Sequence, residues 1–410
     1  MQGVLSPALF ANGHTYFVQQ VHRHGREPYS VHLTYQYGDH ASFAFGKRQR
    51  LRQAGLWAME EADYYAGKFL VLADEGASFP PTDVGSGPED WREVRQGVAH
   101  CASARWCITH AASLAWQALR RHFAEDLLRR RSVRSLLAVA RALGRIPVLP
   151  RALCYCDKMW NNLHACRAPG GEAMALPFEC PMDHIFNVPH WVLHNVSFRE
   201  AGFLDHSHLR QSASWARVLV REPGVPPPAF AKAPASGGSL LAQQTGSWDA
   251  PDATIDAGLS DEALAKQLAR FADVTVLELS SADTLLCGLS ATLRPPMPHG
   301  AATPAAFNAL ARRLLDYTMW FCLTEPWVEA GKPGFVPGVT WERDVVVRHC
   351  GADEGALRRS GRLRPGVVLD EPLCACEWAY AQPPDLPVLQ GAECAPAQRD
   401  AATRLLADDT

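Results

Sequence analysis

Polar and apolar positions alternate through the first seventy residues, and the pattern changes period further on. Thr15–Gln19 and Tyr29–Tyr35 carry the β-branched and aromatic residues of strands. Asn12-Gly13 reads as a tight turn with positive φ just before the first of them. Arg48 to Leu56 reads as a short basic helix. Residues 73–98, rich in Gly, Pro, Asp and Glu, read as a linker. A helical region is expected from about Ala99 to Leu128.

A helix, a glycine and a strand then follow in order. Val133, Leu136, Leu137, Ala140 and Leu143 fall at helical spacing. Gly144 stands where a C-terminal cap needs a left-handed residue. Ile146-Pro147-Val148-Leu149 reads as a short buried strand ending at Pro150. That order is the grammar of a parallel α/β sheet. Pro226-Pro227-Pro228 and Ser236-Gly237-Gly238-Ser239 mark 221–259 as a disordered insertion. Order resumes at Ser260, an N-cap with Asp261 and Glu262 behind it, in a helix ending near Phe271. Val274–Leu279 reads as a strand. Pro304 opens a helix with Phe307, Leu310, Leu314 and Tyr317 on one face. The expected layout is 1–72, a linker 73–98, an α/β domain over 99–220 and 260–392, and a tail 393–410.

Composition narrows the class. The 410 residues are 47% hydrophobic and 20% charged, which suits a globular protein. A formal net charge of −3 gives no reason to expect nucleic acid. No apolar run is long enough to span a membrane, and Met1 is not followed by a signal-peptide pattern. Twelve cysteines are too dilute for a disulfide scaffold.

Ordered blocks then carry a resemblance. ANGHTYFVQ (Ala11–Gln19), PYSVHLTYQYG (Pro28–Gly38), GKRQRLRQA (Gly46–Ala54) and YYAGKFL (Tyr64–Leu70) come first. RSLLAVARALGRIPVLP (Arg134–Pro150), LCYCDKMW (Leu153–Trp160) and PFECPMDHIF (Pro177–Phe186) follow. In this order, over roughly 8–205, they resemble plant and algal arabinosyltransferases of glycosyltransferase family 77, in particular those that extend arabinose chains on hydroxyproline-rich extensins.

The resemblance implies the C-terminal part of a GT-A nucleotide-sugar transferase domain, followed by a second, Rossmann-like α/β domain. It implies retaining transfer of L-arabinofuranose from a UDP-sugar donor to a cell-wall glycoprotein acceptor. It implies a Golgi-lumenal enzyme with its anchor upstream and a divalent cation, manganese or magnesium, as cofactor. The family's Asp-x-Asp motif would lie before Met1, so the chain reads as lacking the N-terminal part.

Related GT-A enzymes place a His, a Gly and a Lys late in the domain, at the metal and the phosphates. His32, Gly46 and Lys47 stand in that order, with Arg48 or Arg50 assisting and Asn12, Gly13 and His14 lining the same site. Charge grows on the departing diphosphate, so a cationic side chain there stabilises the transition state. From the residues alone, His32 reads as a strand histidine and Lys47–Arg52 as a solvated helix face. His22, His24, His32 and His40 lack the paired spacing of a zinc site. The resemblance also makes Cys154 and Cys180 a candidate disulfide.

Arg129, Arg130, Arg131 and Arg134 read as a solvated helix face, and Asp157, Asp183 and His184 as polar groups at strand ends. Residues Arg134–Pro150 also resemble a helix–strand unit of GDP-fucose-dependent O-fucosyltransferases. Two alternatives to an arabinosyltransferase therefore stand: a transferase that uses the second α/β domain, and a non-catalytic lumenal protein that lost the metal site.

Overall fold

The computed structural model describes residues 5–34, 45–57, 62–73, 129–154, 178–221, 251–290, 303–315 and 385–389. Its centre is a parallel sheet. Phe69–Leu72 (β3), Ile146–Pro147 (β4), Trp215–Arg221 (β7), Ala253–Asp256 (β8) and Val276–Leu279 (β10) form five strands in the order β4-β3-β10-β7-β8. All four pairings are parallel. The α/β class expected from the sequence is the one observed.

Both faces of the sheet are covered, as a parallel sheet requires. Side chains alternate between them. Leu70, Ala216, Val218, Val220, Leu277 and Leu279 turn to one face. There they meet Val133, Leu136, Leu137 and Ala140 of the helix over 129–142 (α3). Leu264 of Asp261–Gln267 (α6) and Phe307 and Leu314 of Pro304–Leu314 (α7) complete that layer. Phe69, Val71 and Val276 turn the other way, against Phe203, Leu204 and Leu209. Burying one such side chain is worth about 1.5–3 kcal/mol, so this two-sided core sets the fold.

The local signals behave as read. Gly144 has φ of 62° at the end of α3. The Ser260 hydroxyl accepts from the Ala263 N–H at 3.1 Å and caps α6. Thr303 does the same for α7 through Ala306, with Pro304 in the first turn. Tyr317 and the expected helix over 99–128 lie outside the described residues.

Four expectations are corrected. Residues His14–Val18 form a π-helix, where Thr15–Gln19 was expected as a strand. All five are buried, so their aromatic and β-branched character serves packing rather than a ladder. Within the expected strand Tyr29–Tyr35 the described part is Ser30–His32 (β2), with Leu33 and Thr34 outside it and Tyr35 outside the described residues. The expected insertion over 221–259 is ordered at both ends: Arg221 closes β7, and Ala253–Asp256 is the edge strand β8 beside it. Phe69–Leu72, expected with the first segment, lies inside the sheet between β4 and β10. Among the described residues no helix is long and apolar enough to cross a membrane.

Candidate functional site

Phe10–Asn12 (β1) and β2 form a separate two-stranded parallel ladder that sets Asn12 directly opposite His32. Ala11 and Val31 turn inward onto Ala8, Tyr16, Phe17 and Val21. His32 and Ser30 are exposed, with Phe10 and Tyr29 forming an exposed aromatic pair 5.9 Å between centroids. Asn12 and His32, twenty residues apart in sequence, are thus neighbours. Asn12 Oδ1 accepts from the Thr15 N–H at 2.9 Å, which steers the chain from strand into the π-helix.

The Asn12-Gly13 turn is not of the expected kind. Gly13 has φ of −60°, an ordinary right-handed conformation. It is glycine for want of space: a Cβ there would collide with the Thr34 carbonyl oxygen. His14 is buried and faces away from solvent.

Gly46, Lys47 and Arg48 lie in the first turn of the helix Phe45–Gln53 (α1) rather than in a loop. Gly46 is buried, Lys47 is exposed, and the Arg48 guanidinium lies over the Trp57 ring at 5.5 Å. The buried face of α1 is a joint. Arg50 donates from Nε and Nη2 to both oxygens of Asp183, at 2.7 and 2.9 Å. Gln53 donates to the Cys180 carbonyl at 3.0 Å and accepts from the Met182 N–H at 2.8 Å. Arg50 is therefore committed to Asp183, and the expectation that it assists Lys47 is corrected. Asp183, expected as a polar group at a strand end, is the other half of this ion pair. Asp157 lies outside the described residues.

The residues present do not build a cation site. Among the described residues no three of His, Cys, Asp and Glu gather as metal ligands. His32 offers one exposed imidazole, and the Asn12 side-chain oxygen beside it already caps a turn. One imidazole does not satisfy a hard cation that takes several oxygen ligands. No chemical step is therefore routed through a metal.

The arginine run is buried, not a solvated face. Arg130 donates to the Leu315 carbonyl and, at 2.6 Å, to that of Ile185, so it ties α3 to the end of α7. Burial pulls the Arg134 guanidinium down to about 10, with the Asp283 charge opposing the shift. Ser132 donates to Asp283 at 2.8 Å, which places the start of α3 beside the turn that leaves β10.

A further buried group has no precursor in the sequence reading. Tyr64 donates to Glu200 at 2.6 Å, and Arg199 donates from Nε to the Tyr64 carbonyl at 2.7 Å. Burial first, then the Glu200 charge and hydrogen bond, raise the Tyr64 hydroxyl. Burial likewise raises Glu200, against the Tyr64 hydrogen bond and the Arg52 and Arg199 charges. Cys180 and Cys287 are disulfide-bonded. The antiparallel ladder Leu153–Cys154 (β5) with Phe178–Glu179 (β6) sets Cys154 opposite Phe178, two positions from Cys180. The Cys154 side chain lies outside the described residues.

The fold and these groups define an α/β protein built on a parallel sheet. No protein-family model matches the chain. No solved structure matches it. The chain is similar to Arabinosyltransferase XEG113 of Arabidopsis thaliana, 29% identical over 238 residues. The match covers 54% of this chain and 31% of that protein, so the chain spans about a third of that relative's length.

Proposed function

We propose that the chain is a glycosyltransferase that transfers L-arabinofuranose from a UDP-sugar to arabinosylated, hydroxyproline-rich glycoprotein of the extensin type, with retention. The observation that carries this reading is the relationship to an arabinosyltransferase. The adjacency of Asn12 and His32 and the exposure of Lys47 support it. In this reading the Lys47 ammonium meets the β-phosphate and stabilises the charge that develops as the sugar leaves. Gly46 lets the helix backbone approach the ligand, Arg48 adds positive charge, and Asn12 and His32 border the nucleotide sugar. The disulfides at Cys180 and Cys287 support a lumenal compartment, read as the Golgi. Cys154 is the proposed partner of Cys180.

The test is direct. The full chain is incubated with UDP-arabinofuranose and a synthetic arabinosylated hydroxyproline peptide, and the product is weighed by mass spectrometry. Addition of one pentose is the expected result. A folded chain that leaves the peptide unchanged at every donor concentration overturns the reading.

A second reading rests on one observation. The start of α3, with Arg131 and Arg134, stands beside Asp283 in the turn after the central strand β10. The carboxyl ends of parallel strands are where open α/β sheets bind ligands. An O-fucosyltransferase-like enzyme would hold its nucleotide sugar there, and GDP-fucose in place of the UDP-sugar in the same assay separates the two.

A further inference from the structure

The sequence contains one Asn-x-Ser/Thr triplet, Asn195-Val196-Ser197. It lies on the turn that leaves the helix Val188–Leu193 (α4). The Asn195 N–H bonds to the Val192 carbonyl and the Val196 N–H to that of Trp191, each at 2.9 Å. Asn195 has φ of 50°, a left-handed conformation that asparagine tolerates better than most residues. Val196 is 6% exposed and packs in the main core with Trp191.

The two residues that flank it point the other way. Asn195 and Ser197 are both exposed. Neither side chain makes a hydrogen bond within the described residues, so nothing competes for the amide or the hydroxyl. The chain thus runs out, in, out across the triplet, with the buried valine fixing the other two toward water. Immediately before it, Leu193 is 75% and Val192 40% exposed. A sugar chain rooted at Asn195 would extend into solvent over these two side chains without disturbing the core.

We propose that Asn195 is an N-glycosylation acceptor. An exposed turn is the setting in which such a triplet is used in a secreted protein. The co-substrate is a lipid-diphosphate-linked oligosaccharide. A bond forms between the Asn195 side-chain nitrogen and the anomeric carbon of the first sugar. The bond from that carbon to the diphosphate oxygen breaks, the lipid diphosphate leaves, and the amide gives up one proton. The inference rests on the lumenal compartment of the proposed function, which the disulfides at Cys180 and Cys287 support independently of any transferase activity.

The experiment uses the full chain in plant cells, once as it stands and once behind an appended secretion signal. Peptide mapping after enzymatic deglycosylation reads the conversion of Asn195 to aspartate, and gel mobility reads the loss of one glycan. Behind the signal, a single glycan is expected, absent from Asn195→Gln and Ser197→Ala and kept by Ser197→Thr. Ser197→Ala leaves the left-handed Asn195 in place, so its loss of the glycan is not a folding effect. A chain that is secreted folded and unmodified overturns the site. If the secreted chain is modified but recovered with Cys180 and Cys287 reduced, the acceptor stands and the lumenal reading falls.

Discussion

Breaking the buried ion pair between α1 and the 182–184 turn should unfold the joint that holds α1 in place. Arg50 and Asp183 are 1% and 0% exposed, and two short hydrogen bonds join them. Asp183→Ala removes the carboxylate that takes both of these bonds and leaves the Arg50 guanidinium buried without it. Breaking a buried pair in this way costs about 3–5 kcal/mol. The net stability of a native protein is only about 5–15 kcal/mol, so the loss is a large share of it. An exposed pair would contribute about 0–1 kcal/mol, so the two cases are well separated. Urea unfolding followed by circular dichroism gives the difference. Hydrogen exchange should show the amides of 45–53 opening first, because Gln53 and Arg50 supply that helix's polar ties to the turn. The double variant Arg50→Met with Asp183→Leu should recover most of the loss, since a matched apolar pair removes both desolvated charges. An Asp183→Ala protein that loses less than about 1 kcal/mol would refute the reasoning and return this pair to the surface class.

Three further outcomes are expected. Lys47→Ala should lower turnover about a hundredfold, the usual loss for one contact to developing charge; because Lys47 is exposed, its unfolding midpoint should not move. Unchanged turnover removes Lys47 from the site. Glu200 binds its proton more tightly folded than unfolded, because burial raises it. Its contribution is therefore full below the ordinary carboxylate value and is lost as pH rises through the raised folded value. Glu200→Gln, which still accepts from Tyr64, should flatten that decline in urea titrations from acidic to neutral pH, and an unaltered slope would count against the assignment. Cys180→Ser should cost about 2–5 kcal/mol, as removal of a native disulfide does. Non-reducing peptide mapping should recover Cys180 linked to Cys154, and a link to any other cysteine corrects the pairing.

The elements legible from the sequence were those whose cause is local. The helix over 129–142 follows from its own apolar spacing, and Gly144 ends it because only a residue tolerant of positive φ fits there. Ser260 and Thr303 cap helices through hydrogen bonds three residues long. The parallel α/β class followed from the order of such pieces.

What the sequence did not determine depended on partners far along the chain. Gly13 is glycine because of the Thr34 carbonyl, not because of its own turn. Arg50 reads as one more charge in a basic helix, and only Asp183, 133 positions away, makes it a buried joint. Tyr64 and Glu200 are 136 positions apart and form one buried group. The aromatic and β-branched residues of His14–Val18 fit a strand or a packed helical turn equally well, and the surrounding core chose the turn. The place of β3 inside the sheet was set by pairing with β4 and β10, both encoded much later. Local propensity fixes which way a short segment bends. Burial and pairing fix which charges face water, and those contacts exist only after the chain has folded.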